Sequence, residues 1–164
     1  MAKYLTEKFD LNDDDILWEK FMCFMRQIVP WEAEQLKMLS ETQKEPVTAF
    51  IFINETMRQG LTGFFDLYAK HIKNADIINA FKALSVSEKY IKVIEEMPAE
   101  YVDPWDKYGE DISEEEFEAE ADRLDAYYDK YYRLLIKYDN ENEEIKEKII
   151  DYVRQYHSEF FEYK

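Results

Sequence analysis

Thirty-seven carboxylates, two histidines and one cysteine are the groups with which this 164-residue chain could do chemistry. Their spacing speaks against most kinds. His71 and His157 are far apart, and the positions three residues ahead of them hold Tyr68 and Arg154. The Glu-x-x-His pairs that hold two irons in helical bundles are therefore missing. One cysteine and two scattered histidines do not make a zinc site. No Asp-x-Asp-x-Asp-Gly loop offers calcium its oxygen ligands, and "DNENEE" (139–144) lacks the glycine for the sharp turn. No glycine-rich loop is present to cradle a phosphate. The sequence calls for no cofactor. A carboxylate pair could do acid–base work, but spacing alone singles out none.

What the acids do show is clustering. Between Glu100 and Asp125 there are twelve of them against two bases, Lys107 and Arg123, so this stretch holds most of the chain's net charge of −16. On a helix Glu114, Glu118, Asp122, Asp125 and Asp129 step by four, four, three and four and form one row, with neighbours ~5–6 Å apart. Like charges at that spacing cost a few tenths of a kcal/mol per pair, so a row kept only for stability would interleave lysines. The helix dipole accounts for Glu114, Glu115 and Glu116 in the first turn, and net charge aids solubility. Neither explains the acids further along, or the acidic loop before them. A solvated face and a docking face both remain open. On the docking reading the contact residues are Asp103, Asp106, Glu110, Asp111, Glu114, Glu115, Glu118, Asp122, Asp125 and Asp129, whose carboxylates stand where phosphates would.

The elements that must hold such a row are helices. Three glycines and four prolines interrupt a chain that is 46% hydrophobic and 16% aromatic, too apolar for a disordered acidic tail and long enough for one core. Asn12 or Asp13 can cap a first helix whose Leu17, Phe21, Phe24 and Ile28 share a face, and Pro30 ends it. A short helix over about 31–39 follows. Pro46 suits the first turn of the next helix, which Gly60 closes. The apolar run "AFIFI" reads as helix because no partner strand is evident. Thr62 can cap "TGFFDLYAKHIK"; "NADIINAFKAL" comes next, and Ser85 with Glu88 has capping-box spacing ahead of a helix stopped by Pro98. Residues 98–112 read as a loop or short helical turn anchored by Trp105 or Tyr101. Ser113 and Glu116 form a second capping box. Beyond it Phe117, Ala121, Leu124, Tyr128, Tyr131, Leu135 and Tyr138 make one apolar stripe, with Tyr127 at its border. "DNEN" breaks that helix, and the last one places Ile145, Ile149, Val153, Tyr156 and Phe160 on one face. Cys23, in "FMCFM", reads as core filler, since no second cysteine exists to pair with it. The expectation is an all-α single domain of about six to eight helices, 1–164, with N-terminal helices over 1–46.

From about residue 47 onward the chain resembles the DNA-mimic-protein-like family, also catalogued as a domain of unknown function. The motifs are "ETMRQGLTGFF", where Glu55, Gly60, Leu61, Phe64 and Phe65 match the family's first signature, then "AFKALSVSEKYIKVIEEMP" and "RLDAYYDKYY". Arg58, Gln59, Gly63 and Ser85 depart from it, Ser85 replacing a glycine. The resemblance implies the helical fold, and that some members imitate DNA to occupy a DNA-binding protein. It brings no catalytic residues. Glu55, near a helix C-terminus, opposes the dipole and calls for a partner such as the next turn's amides or Arg58.

Net charge repels DNA, RNA and anionic lipid, so neither direct nucleic-acid binding nor membrane association is expected, whereas basic proteins are attracted. No apolar run is long enough for a signal peptide or a membrane span, so the chain reads as cytoplasmic. Three roles follow: a non-enzymatic acidic module that occupies a basic DNA-binding protein, an immunity or antitoxin protein that neutralises one toxin, and, least supported by motifs, a hydrolase using two acids. Monomer and homodimer are both compatible with the sequence.

Overall fold

The computed structural model describes residues 3–28, 33–98, 102, 107, 109 and 112–164. Asp13 settles the first cap: its carboxylate accepts the backbone N–H of Ile16 at 3.0 Å and starts α1 (Asp14–Ile28), which buries Leu17, Phe21, Phe24 and Met25. Cys23 on this helix is half-buried. A 3-10 turn over Ala33–Met38 leads to α2 (Glu41–Tyr68).

This helix starts five residues before the expected Pro46. Ser40 accepts the N–H of Gln43 at 3.2 Å while the Gln43 side chain accepts the N–H of Ser40 at 3.1 Å. That reciprocal cap nucleates the helix upstream, and Pro46 then lies inside it, leaving one carbonyl without an amide partner. Residues 47–53 are all buried: Phe50 meets Trp18 and Phe21 of α1, and α2 packs against the helices that follow it. A helical stretch with no exposed residue shows no amphipathic period, which is why "AFIFI" could also be read as a strand.

Gly60 turns this helix. Its φ of 77° and ψ of 175° belong to a region that is essentially glycine-only. On a straight helix Phe52 and Phe64 would lie ~18 Å apart; instead their ring centroids are 5.0 Å apart, edge to face. The corner folds residues 61–68 back onto the first half. Thr62, expected as a cap, bonds instead to Asp125 of a later helix.

Helices α3 (Asn74–Ala83) and α4 (Glu88–Glu96) follow. Ser85 is not the cap of α4. It has φ 57°, with its N–H on the Lys82 carbonyl at 3.1 Å and the Val86 N–H on the Phe81 carbonyl at 2.9 Å. That is the Schellman ending of α3, in which a left-handed residue follows the helix; Ser87 precedes α4. A left-handed serine carries a Cβ penalty that glycine avoids. Ser85→Gly should therefore stabilise the protein by about 1 kcal/mol, read as a higher urea midpoint with an unchanged slope. A lower midpoint would contradict this account of the turn.

Helix α5 (Glu114–Asn142) begins with the expected Ser113–Glu116 capping box. It does not break at "DNEN" but runs through it to Glu143, whose φ of 44° ends α5 and opens α6 (Glu144–Gln155). The polar residues stay helical because the chain turns only where one residue adopts the left-handed conformation. Ile145, Ile149 and Val153 are buried as expected, but Tyr156 lies beyond the helix and is exposed. Helix α7 (His157–Phe160) returns the chain to the core through Phe160.

Two three-residue strands were not anticipated. β1 (Tyr4–Thr6) and β2 (Phe161–Tyr163) pair in parallel, Tyr4 opposite Phe161 and Thr6 opposite Tyr163. Segments so short have no alternation to read. Gln43, buried on α2, donates to the Glu159 carbonyl at 2.6 Å, and Arg154 donates to the Leu11 carbonyl at 2.9 Å. The C-terminal end is thus held to α2 and the N-terminal stretch to α6. The result is an all-α domain with one small parallel ribbon.

Candidate functional site

The acidic half of α5 stands at the periphery. No residue from Glu114 to Tyr127 is buried, whereas Tyr128, Tyr131 and Leu135 are. The C-terminal half grips the body. Tyr128 packs on Phe65 with centroids 5.2 Å apart, the Tyr131 hydroxyl donates to the Glu96 carbonyl at 2.8 Å, and Tyr138 meets Tyr90 at 5.5 Å. Burial first, then the neighbouring Tyr127 and Tyr131, push the Tyr128 hydroxyl up to about 12. Phe117, Ala121 and Leu124 are half-covered, so the apolar stripe is continuous but thins toward the acidic end.

The acids of the run divide by what they touch. Glu116 belongs to the cap: it accepts from the Ser113 hydroxyl at 2.7 Å and the Ser113 amide at 3.1 Å, and these bonds, the hydroxyl's first, hold its pKa below the usual value. Glu120 takes both bases of the run. Arg123 donates to it twice at 2.8 Å and Lys107 once at 3.1 Å, and these hydrogen bonds lower its pKa to about 2. Asp129 pairs with Arg133 at 2.7 Å, the partner expected from spacing. Asp125 accepts from Thr62 and so ties α5 to the corner of α2. Among the described residues no lysine or arginine pairs with Glu114, Glu115, Glu118 or Asp122, and all four are exposed. Asp103, Asp106, Glu110 and Asp111 lie outside the described residues, as do Trp105 and Tyr101.

A carboxyl with a depressed pKa contributes stability that is full above its unfolded value and lost as pH falls toward its folded one. For Glu120 that window runs from about 4.3, the unfolded value, down to about 2. Its side-chain carbon should titrate about two pH units below the free glutamate value by NMR, and Arg123→Gln should move it upward. An ordinary midpoint in the wild type would contradict the pairing.

Sequence reasoning missed two things here. It did not assign Lys107 and Arg123 to one acid, because Lys107 is thirteen residues from Glu120 and only the tertiary fold brings them together. It also could not see Thr62 beneath Asp125. Glu55 was anticipated correctly as a residue in need of a partner. It is 3% exposed and accepts from Gln59 at 2.7 Å, Asn54 at 3.1 Å and Arg58 at 3.4 Å. Its charge raises the pKa of the buried Tyr68, after burial itself.

Among the described residues no group of three or more His, Cys, Asp or Glu side chains is placed to hold a metal ion, and no helix is long and apolar enough to cross a membrane. The fold and the site define a small helical protein with one unneutralised acidic helix face. The model of the DMP19-like protein family, named for DNA mimic protein 19, matches residues 37–156. The chain belongs to the DMP19-like family. No curated protein and no solved structure gives a significant match to it.

Proposed function

We propose that this protein is a non-enzymatic binding module whose acidic α5 face occupies the DNA-reading surface of a basic protein. The observation that carries the reading is the sorting of the charges. Both nearby bases are committed to Glu120, which leaves Glu114, Glu115, Glu118 and Asp122 exposed along the outer half of α5. Steps of four residues put the carboxylates of the row ~6 Å apart along the axis. One DNA strand presents a phosphate every ~3.4 Å of axis. The row alone thus has roughly half the linear charge of a strand, and Glu115 beside it narrows the gap. Membership of the DMP19-like family supports the same role.

The row also costs stability. Glu114–Glu118, Glu115–Glu118, Glu118–Asp122 and Asp122–Asp125 are like-charged neighbours, together worth about 1 kcal/mol of destabilisation. A face maintained against that cost fits binding better than solvation.

The test is capture from native cell lysate on the immobilised full chain, at about 0.05 M and about 0.5 M salt, with double-stranded DNA as competitor. The expected result is a basic DNA-binding protein, retained at low salt, lost at high salt and displaced by DNA. Retention of a partner that DNA does not displace would defeat the mimic reading; if that partner were a toxin, it would support the immunity role.

A further inference from the structure

Beside the acidic row, the corner of α2 and the middle of α5 enclose a groove with residues 58–62 on one wall and Asp125, Tyr128, Asp129 and Tyr132 on the other. Three features of separate origin suit it to a cation. The first half of α2 ends here, and a helix end brings carbonyls without intrahelical partners and the negative pole of the dipole. Gly60 leaves that end open: a Cβ built on it would meet nothing within 4 Å. Asp125 and Asp129 supply full charges. Each already serves one neighbour, Thr62 and Arg133 respectively, but a carboxylate has about four acceptor sites, so capacity remains. Tyr132, half-buried, adds a ring whose face attracts a cation within ~6 Å, while the buried Tyr128 lines the groove behind it. The groove's own cation, Arg58, lies 3.4 Å from the buried Glu55. With Glu55 and Arg133 counted, negative charge still exceeds positive.

We propose that this groove receives the guanidinium of one arginine from the basic partner, and so sets the register in which the partner lies along the row. The inference rests on the docking reading above and adds its anchor. A planar guanidinium can donate two parallel hydrogen bonds to a carboxylate and stack on a tyrosine at once, which an ammonium cannot. Pockets that combine tyrosine with an incoming arginine are where interface energy concentrates, whereas single exposed charge pairs contribute little. The row attracts; the groove positions.

The experiment is an NMR titration of the ¹⁵N-labelled full chain with N-acetyl-arginine methylamide at low salt, against the uncharged citrulline compound of the same shape. Amides of Gly60, Leu61 and Thr62 and of the Asp125–Tyr132 segment should shift with the arginine compound and not with the citrulline one. Tyr132→Leu, which keeps apolar bulk but removes the ring, should weaken the titration by about three- to tenfold, and Glu162→Gln, at an exposed position on β2, should leave it unchanged. Shifts confined to Glu114–Asp122, no shifts at all, or equal shifts with citrulline would overturn the groove as a guanidinium site. Because the wild-type chain gives the deciding map, an unfolded variant does not obscure the answer. A failed titration leaves the lysate result standing, and a failed DNA competition leaves the titration standing, so the two readings fail separately.

Discussion

Changing Glu114, Glu118 and Asp122 together to Gln, Gln and Asn should lower affinity for the captured partner by about 100-fold, with the melting temperature equal or slightly raised. The magnitude follows from three lost charge pairs at about 1 kcal/mol each, the upper end for exposed pairs and below the range for close interfacial ones. Every 1.4 kcal/mol is about tenfold. The stability side has the opposite sign, because all four like-charge contacts are relieved and no described cation loses its partner. Asp125 is left intact, since it holds Thr62 and its removal would confuse docking with folding. The comparison variant changes Glu7, Glu19 and Glu162 to Gln. These are exposed and sit just after β1, on α1 and on β2, so the same net charge is removed and long-range attraction falls equally. That variant should lose only a few-fold. Equal losses in the two variants would mean that the partner senses overall charge and that the row is merely a solvated face. The partner comes from the lysate capture, and affinity is then measured with the two purified proteins.

The elements legible in the sequence were those with an amphipathic period or a cap that acts locally. The stripe from Phe117 to Tyr138 and the Ser113–Glu116 box predicted α5 because that helix has one wet side and one dry side. The Asp129–Arg133 pair was legible for the same reason: it is a four-residue contact. What failed was set by tertiary structure. The Ser40–Gln43 cap moved the start of α2 upstream of Pro46, and nothing in the spacing weighs two competing starts. Ser85 looked like an N-cap by its distance from Glu88, yet it has the backbone of a C-terminal turn, where the related family carries glycine. Its side chain misled because serine is common in caps and rare in the left-handed region. The ribbon of β1 and β2 joins segments more than 150 residues apart in three-residue strands, below any pattern length. For the site, the row itself could be read from the sequence. Its neutralisation could not, because Lys107 is thirteen residues from Glu120 and only the fold brings the two together.

Phe64→Ala should cost about 3–5 kcal/mol of stability, and with it about 8–15 °C of melting temperature for a chain of this size. The side chain is fully buried and touches both sides of the α2 corner. Phe52 meets it edge to face at 5.0 Å, and Tyr68 stacks on it at 5.6 Å and 17°. Removing the ring leaves a void where two halves of one helix meet. Gly60 fixes the backbone of the corner and cannot close the gap. Phe64→Leu, which refills much of that volume, should recover well over half of the loss. Tyr127→Ala, at a position half exposed to solvent, should change stability by no more than about 0.5 kcal/mol. The corner also carries Thr62 and with it the tie to Asp125, so Phe64→Ala should loosen the seat of α5 as well as the core. Amide hydrogen exchange around Asp125 would then quicken more than exchange in α1, which meets α2 through Phe50. A small loss, or a uniform increase in exchange across the molecule, would mean that the corner does not hold the acidic helix in place.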